Sequence, residues 1–140
     1  MPPIQNQGQC GSCWAFASVA LIETGQCLAQ GGTAYTKYSE QTMSSCETKS
    51  SGCLGGVPHD PYTATNGVLG RCNNGCTRVQ TGMKAVVPLP QNEAALLSAL
   101  AQHPVILAVQ SGNDAWKQYK SGVLSACPDP NAQIDHAVVA

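Results

Sequence analysis

The order of apolar and polar positions divides the chain into a long first helix, an irregular cysteine-rich middle and a second part of short apolar runs. Across residues 12–29, Trp14, Ala15, Phe16, Ala17, Val19, Ala20, Leu21 and Ile22 leave no wide polar face, which predicts a helix buried nearly all round. Ser12 is placed to cap that helix, and Gly31-Gly32 to stop it. A shorter helix is predicted from Ser39, with Glu40 complementing its dipole. Residues 48–82, rich in Gly, Asn, Ser and Thr, read as irregular structure tied by disulfides. Beyond them, residues 85–89 read as a short strand and residues 92–103 as a helix. That helix has Glu93 in its first turn, Leu96, Leu97 and Leu100 along one face, and Pro104 at its end. Residues 105–109 form an uninterrupted aliphatic run, the pattern of a buried strand. Residues 114–120 suit one helical turn carrying Trp116 and Tyr119, and residues 122–124 and 134–140 suit further strands. Helices and disulfide loops come first and strands follow, so the expected class is α+β with two segregated halves.

Composition narrows the function. Seven Lys+Arg against eight Asp+Glu leave a net charge of −1, so no basic excess exists to hold a phosphate backbone, and a nucleic-acid partner is not expected. No apolar run approaches the ~20 residues of a membrane span, and residues 1–7 lack the regions of a signal peptide. With 43% hydrophobic and 11% charged residues, the chain has the material for a core and not the profile of disorder.

The cysteines change the picture most. There are eight: Cys10, Cys13, Cys27, Cys46, Cys53, Cys72, Cys76 and Cys127. So many thiols point to a disulfide framework in an oxidising compartment. Zinc is the competing reading, because Cys10 and Cys13 have C-x-x-C spacing, but Trp14-Ala15-Phe16-Ala17 runs straight into an apolar helix where a zinc knuckle makes a tight turn. A thioredoxin-like redox pair needs an apolar strand before the motif, and residues 2–9 are not one. No metal or other cofactor is expected.

One stretch is far more specific than the rest: Gln7-Gly8-Gln9-Cys10-Gly11-Ser12-Cys13-Trp14-Ala15-Phe16. Tyr38-Ser39-Glu40-Gln41, Gly52-Cys53-Leu54-Gly55-Gly56, Gln102-His103-Pro104-Val105 and Asp135-His136-Ala137-Val138 follow it in order. With these motifs the chain resembles the papain-like cysteine proteases, for which C-G-[SA]-C-[WY] is a known signature. The resemblance spans almost the whole chain and is weakest over residues 57–82.

The chemistry of the stretch can be argued from the residues. Cys13 lies at the start of a long helix, where exposed N–H groups and the helix dipole favour an anion and hence a thiolate. His136 is the candidate partner, and only tertiary structure could bring it to Cys13. Gln7 suits a side-chain N–H aimed at a developing oxyanion beside the Cys13 backbone N–H. His59, in a polar loop, and His103, at a helix end, keep ordinary structural roles.

The resemblance implies a papain-like fold: a helical, disulfide-rich half over residues 10–84, an incomplete antiparallel β-barrel half over residues 1–9 and 85–140, and an active site in the cleft between them. It implies that Gly55 and Gly56 hold the substrate backbone, and that Val57, Pro58, Ala108, Ile134 and Ala137 line an apolar pocket for the residue before P1. It pairs Cys10 with Cys53, and Cys46 with Cys72 or Cys76. Cys27 matches no common position and most simply takes whichever of Cys72 and Cys76 remains. Cys127 is left without a partner within the chain. Peptide or protein substrates, inhibitors of the cystatin type, a monomeric state and a lysosomal, vacuolar or secreted location follow from the same resemblance.

The family pattern also includes an Asn before Ser-Trp-Gly that orients the imidazole, and this sequence has no Asn-Ser-Trp. The expectation is an internal fragment of a longer protease or a truncated homologue. Two functions follow from different classes: a cysteine peptidase working by acyl transfer, or a non-catalytic protein that keeps the papain fold for binding.

Overall fold

The computed structural model describes residues 3–47, 50–56, 72, 75, 81–125, 131 and 133–140. Helix α1 spans Cys13–Ala29, α2 spans Glu40–Cys46, a 3-10 turn covers Gly52–Leu54, and α3 spans Glu93–Leu100. Strand β1 (Ile106–Val109), the single-turn helix α4 (Asp114–Lys117) and strand β2 (His136–Val139) follow.

The start of α1 is set by its approach. A disulfide joins Cys10 to Cys53, and between its ends the Gly11 N–H donates to the Cys53 carbonyl at 3.0 Å. A Cβ on Gly11 would meet that oxygen at 2.6 Å, so only glycine lets the two backbones lie this close. Ser12 stands at the N-cap as expected, but its hydroxyl makes no cap bond; its carbonyl instead accepts from Ala15 and Phe16. At the other end Gly31 and Gly32 take positive φ, and Gly32 N–H returns to the Cys27 carbonyl at 2.7 Å, closing the helix as the glycine pair predicts.

The core lies under α1. Trp14, Ala15, Val19 and Met43 are buried together, and Tyr38 packs against them. The Trp14 indole N–H donates to the Gly52 carbonyl at 3.1 Å, which pins the 3-10 turn to the helix. Glu23 is also inside, its side chain 1% exposed, with the Lys37 ammonium at 3.1 Å and the Tyr38 N–H donating to it at 2.7 Å. Lys37 binds Glu40 as well. The apolar reading of α1 therefore needs one amendment: an ion pair is built into its buried side.

The disulfides settle one alternative and correct one expectation. Cys46 is bonded to Cys72. Cys27 is not a half-cystine: it is buried with a free thiol on the inner side of α1, where a reduced cysteine packs as a small apolar residue. Cys76 and Cys127 lie outside the described residues.

In the second part, α3 begins as predicted: Asn92 accepts from the Ala95 N–H at 2.8 Å, with Glu93 in the first turn. The helix is shorter than expected, ending at Leu100 with a turn over residues 101–103 before Pro104. None of its residues is buried. Strands β1 and β2 pair antiparallel, Val109 opposite His136 and Ile106 opposite Val139. Val105 and Ala140 exchange two further backbone hydrogen bonds of 2.9 and 3.0 Å. The strand expected over residues 105–109 thus forms, but partly exposed instead of buried.

The strands expected over residues 85–89 and 122–124 do not form among the described residues. Both segments are exposed, and a stretch becomes a strand only when a neighbour accepts its hydrogen bonds. Pro88 has no N–H to offer, and Gly122 takes φ 88°. No helix among the described residues is long and apolar enough to cross a membrane.

Candidate active site

Cys13 is the first residue of α1, half-buried, and its thiol is free. The Cys10–Cys53 bond takes the neighbouring thiol out of play and anchors the turn that delivers Cys13. No side chain caps the helix, so its first N–H groups are not engaged by a serine hydroxyl, and Cys13 stands in the first turn, at the positive end of the helix dipole. Gln7 is half-buried, and its Nε2 donates to the Cys10 carbonyl at 2.9 Å. That bond fixes the Gln7 amide beside the Cys10–Cys13 turn while leaving its second N–H for another acceptor.

His136 opens β2 and is half-buried. Strand β2 packs against α1, as does β1, so Cys13 and His136 each stand at the first residue of two elements in mutual contact. The packing of α1 on β2 joins elements far apart in the chain.

Asp135, immediately before His136, has a role the sequence did not suggest. Its Oδ1 accepts from the Ser111 N–H at 2.6 Å and the Ser111 hydroxyl at 3.0 Å, and its Oδ2 accepts from the Gly112 N–H at 2.9 Å. The Ser111 N–H bond is the main reason its carboxyl lies below the usual carboxylate range. Desolvation opposes that shift, while the Ser111 hydroxyl, the Gly112 N–H and the charge of His136 add to it. No local pattern could reveal this, because Ser111 and Asp135 are 24 residues apart.

Of the residues assigned to substrate contact, Gly55 takes φ 116°, and Gly56 packs so closely that a Cβ would come within 2.6 Å of the Trp14 ring. The glycine pair is thus tied to the same tryptophan that follows Cys13. Ala108 and Ala137 face one another across the β1–β2 ladder, while Ile134 precedes β2 and is exposed. Val57, Pro58 and His59 lie outside the described residues. Among the described residues no group of three His, Cys, Asp or Glu side chains could hold a metal ion.

The family model for papain family cysteine proteases matches residues 1–140. Caricain of Carica papaya is 35% identical over 154 residues, covering 99% of this chain and 43% of its own length. A cysteine proteinase of Trypanosoma brucei brucei is 32% identical, covering 98% of this chain and 34% of its own length. A crystal structure of a Carica candamarcensis cysteine protease in complex with E-64 superposes with a TM-score of 0.87 at 31% identity. That match covers 100% of this chain and 71% of the solved one. The chain therefore spans under half the length of these two curated relatives.

Proposed function

The chain belongs to the papain family of cysteine proteases, and from that premise we propose that the protein it represents is a cysteine peptidase with Cys13 as nucleophile and His136 as its base and acid. The observation that carries this reading is the free thiol of Cys13 at the start of α1, on a helix packed against the strand that His136 opens. The thiolate attacks the substrate carbonyl, His136 protonates the leaving amine, and a water activated by the same imidazole releases the acyl group. The Cys13 N–H and the free N–H of Gln7 stabilise the oxyanion; removal of one such donor costs about 10²–10³ in turnover.

In this reading residues 10–84 form one half, residues 1–9 and 85–140 the other, and the site lies where they meet. Gly55 and Gly56 hold an extended peptide by its backbone. Val57, Pro58, Ala108, Ile134 and Ala137 take an apolar side chain one residue before P1. Substrates are peptides or proteins, regulators include inhibitors of the cystatin type, and the enzyme acts as a monomer. A lysosomal, vacuolar or secreted location suits a chain with two disulfides among its described residues.

The test is treatment of the folded chain with a thiol-directed epoxide peptide, followed by mass spectrometry. One label per chain, lost in Cys13→Ala, is the expected result. Labelling that survives Cys13→Ala, or a folded chain that takes no label, overturns the peptidase reading in favour of a binding protein.

A further inference from the structure

Cys10 and Cys13 keep the C-x-x-C spacing of a dithiol pair at the start of α1, a pattern that peptide hydrolysis does not require. Three cysteines share this corner of the fold: Cys10 is bonded to Cys53, and the free thiol of Cys13 follows three positions on. The Ser12 N–H donates to the Cys10 carbonyl at 2.8 Å, which folds residues 10–12 into a tight turn and draws Cys13 back towards Cys10. Cys10 is only 7% exposed, so a thiol from solution has little access to its sulfur, whereas Cys13 stands half-buried on the same turn. The 3-10 turn that carries Cys53 is held by more than the disulfide. The Gly11 N–H donates to the Cys53 carbonyl at 3.0 Å, and the Trp14 indole N–H to the Gly52 carbonyl at 3.1 Å. With these bonds the turn stays beside residues 10–14 when its sulfur is released.

We infer that Cys10, Cys13 and Cys53 form a thiol–disulfide switch in which Cys13 exchanges its free thiol for a bond to Cys10. The Cys13 thiolate attacks the Cys10 sulfur. A Cys10–Cys13 bond forms, the Cys10–Cys53 bond breaks, and the electron pair leaves on the Cys53 sulfur as a thiolate. One disulfide and one thiolate are present before and after, so the step consumes no oxidant, no reductant and no proton.

The Cys10–Cys13 form lacks the nucleophile and is inactive as a peptidase. Reverse attack by Cys53 restores it, and the bonds to the Gly52 and Cys53 carbonyls keep that thiolate at hand. An anion is favoured at the start of α1, so the form with free Cys13 predominates, and the switched form is drawn off as the Cys53 thiolate is trapped. The regulatory meaning rests on the reading of Cys13 as the nucleophile; the exchange itself needs only its thiolate.

The experiment equilibrates the folded, never-reduced full chain at mildly alkaline pH, pulses it with iodoacetamide and maps the tryptic peptide of residues 50–71, in which Cys53 is the single cysteine. Alkylated Cys53 is expected in a fraction of chains. That fraction should be lost in Cys13→Ala and in the parent blocked beforehand with the epoxide peptide. Cys53 alkylation no higher in the parent than in Cys13→Ala overturns the switch. A second variant, Cys53→Ser, leaves Cys10 and Cys13 as free neighbours. In a glutathione redox buffer it should form the Cys10–Cys13 bond, losing epoxide labelling until dithiothreitol restores it. A folded Cys53→Ser chain that never forms that bond also overturns the switch, and if this variant does not fold, the pulse on the parent decides. A parent that takes no epoxide but shows Cys13-dependent alkylation of Cys53 defeats the peptidase reading alone. One that takes the epoxide and shows no such alkylation defeats the switch alone.

Discussion

The part of the chain around α1 and α2 and the part that holds α3, β1 and β2 are stabilised by different means. Around α1 and α2, Trp14, Ala15, Val19 and Met43 are buried, disulfides tie Cys10 to Cys53 and Cys46 to Cys72, and the buried Glu23 carboxylate pairs with the partly exposed Lys37. Neither α3 nor α4 has a buried residue, and Leu97, Val87 and Val123 are 59%, 74% and 93% exposed. Secondary structure in the second part rests on hydrogen bonds: the Asn92 and Asn113 caps, the backbone pair at Val105 and Ala140, and the bonds of the Asp135 carboxylate to Ser111 and Gly112. Packing and disulfides thus dominate around the nucleophile, while hydrogen bonds add to the packing of β2 on α1 around the histidine.

Substitutions can break this contrast. The largest effect is expected for Trp14→Ala, which empties the core beneath Cys13 and removes the bond to Gly52. A loss of about 3–5 kcal/mol in denaturant unfolding is the expected magnitude for a buried tryptophan. Lys37→Met should cost about 1–2 kcal/mol, because it leaves the Glu23 carboxylate buried with only the Tyr38 N–H, although 40% exposure of Lys37 weakens the pair it removes. Partial burial opposes the Lys37 charge, but hydrogen bonds to Glu40 and Glu23, and the charges of both, outweigh it and raise its pKa above 10.5. The stabilisation is therefore complete below pH 10.5 and lost as pH rises through the raised value, an alkaline step that Lys37→Met should remove from the stability profile.

In the second part, Asn92→Ala should cost about 1 kcal/mol, read as faster amide exchange in α3 with little change around α1. Leu97→Ala should change stability by less than about 0.5 kcal/mol. A Leu97→Ala effect as large as that of Trp14→Ala would erase the contrast between the two parts.

The elements read correctly from sequence are those whose cause is local. Cys13–Ala29 has its apolar run and its Gly31-Gly32 stop within a few residues of one another, and α3 has Asn92 and Glu93 at its own start. The elements misread depend on distant partners. Residues 85–89 and 122–124 have strand-like composition but no neighbouring strand among the described residues. Cys27 was expected to bond to whichever of Cys72 and Cys76 remained, yet the fold places its free thiol on the buried side of α1 without a partner among the described residues. Glu23 sits in a helix that reads as apolar, and its burial makes sense only once Lys37 and Tyr38 fold back onto it.

The site divides along the same line. The sequence by itself determined the chemistry available: a cysteine at a helix start, a histidine in a short apolar strand, a glutamine upstream and a glycine pair. These are matters of residue type and short-range spacing, which a motif records directly. Only the tertiary structure decided which thiols were consumed, that α1 and β2 meet, and that the residue before His136 would grip a turn 24 positions away. Those outcomes depend on chain segments being brought together by burial and hydrogen bonding over long separations, and no local pattern encodes which of the available partners is met.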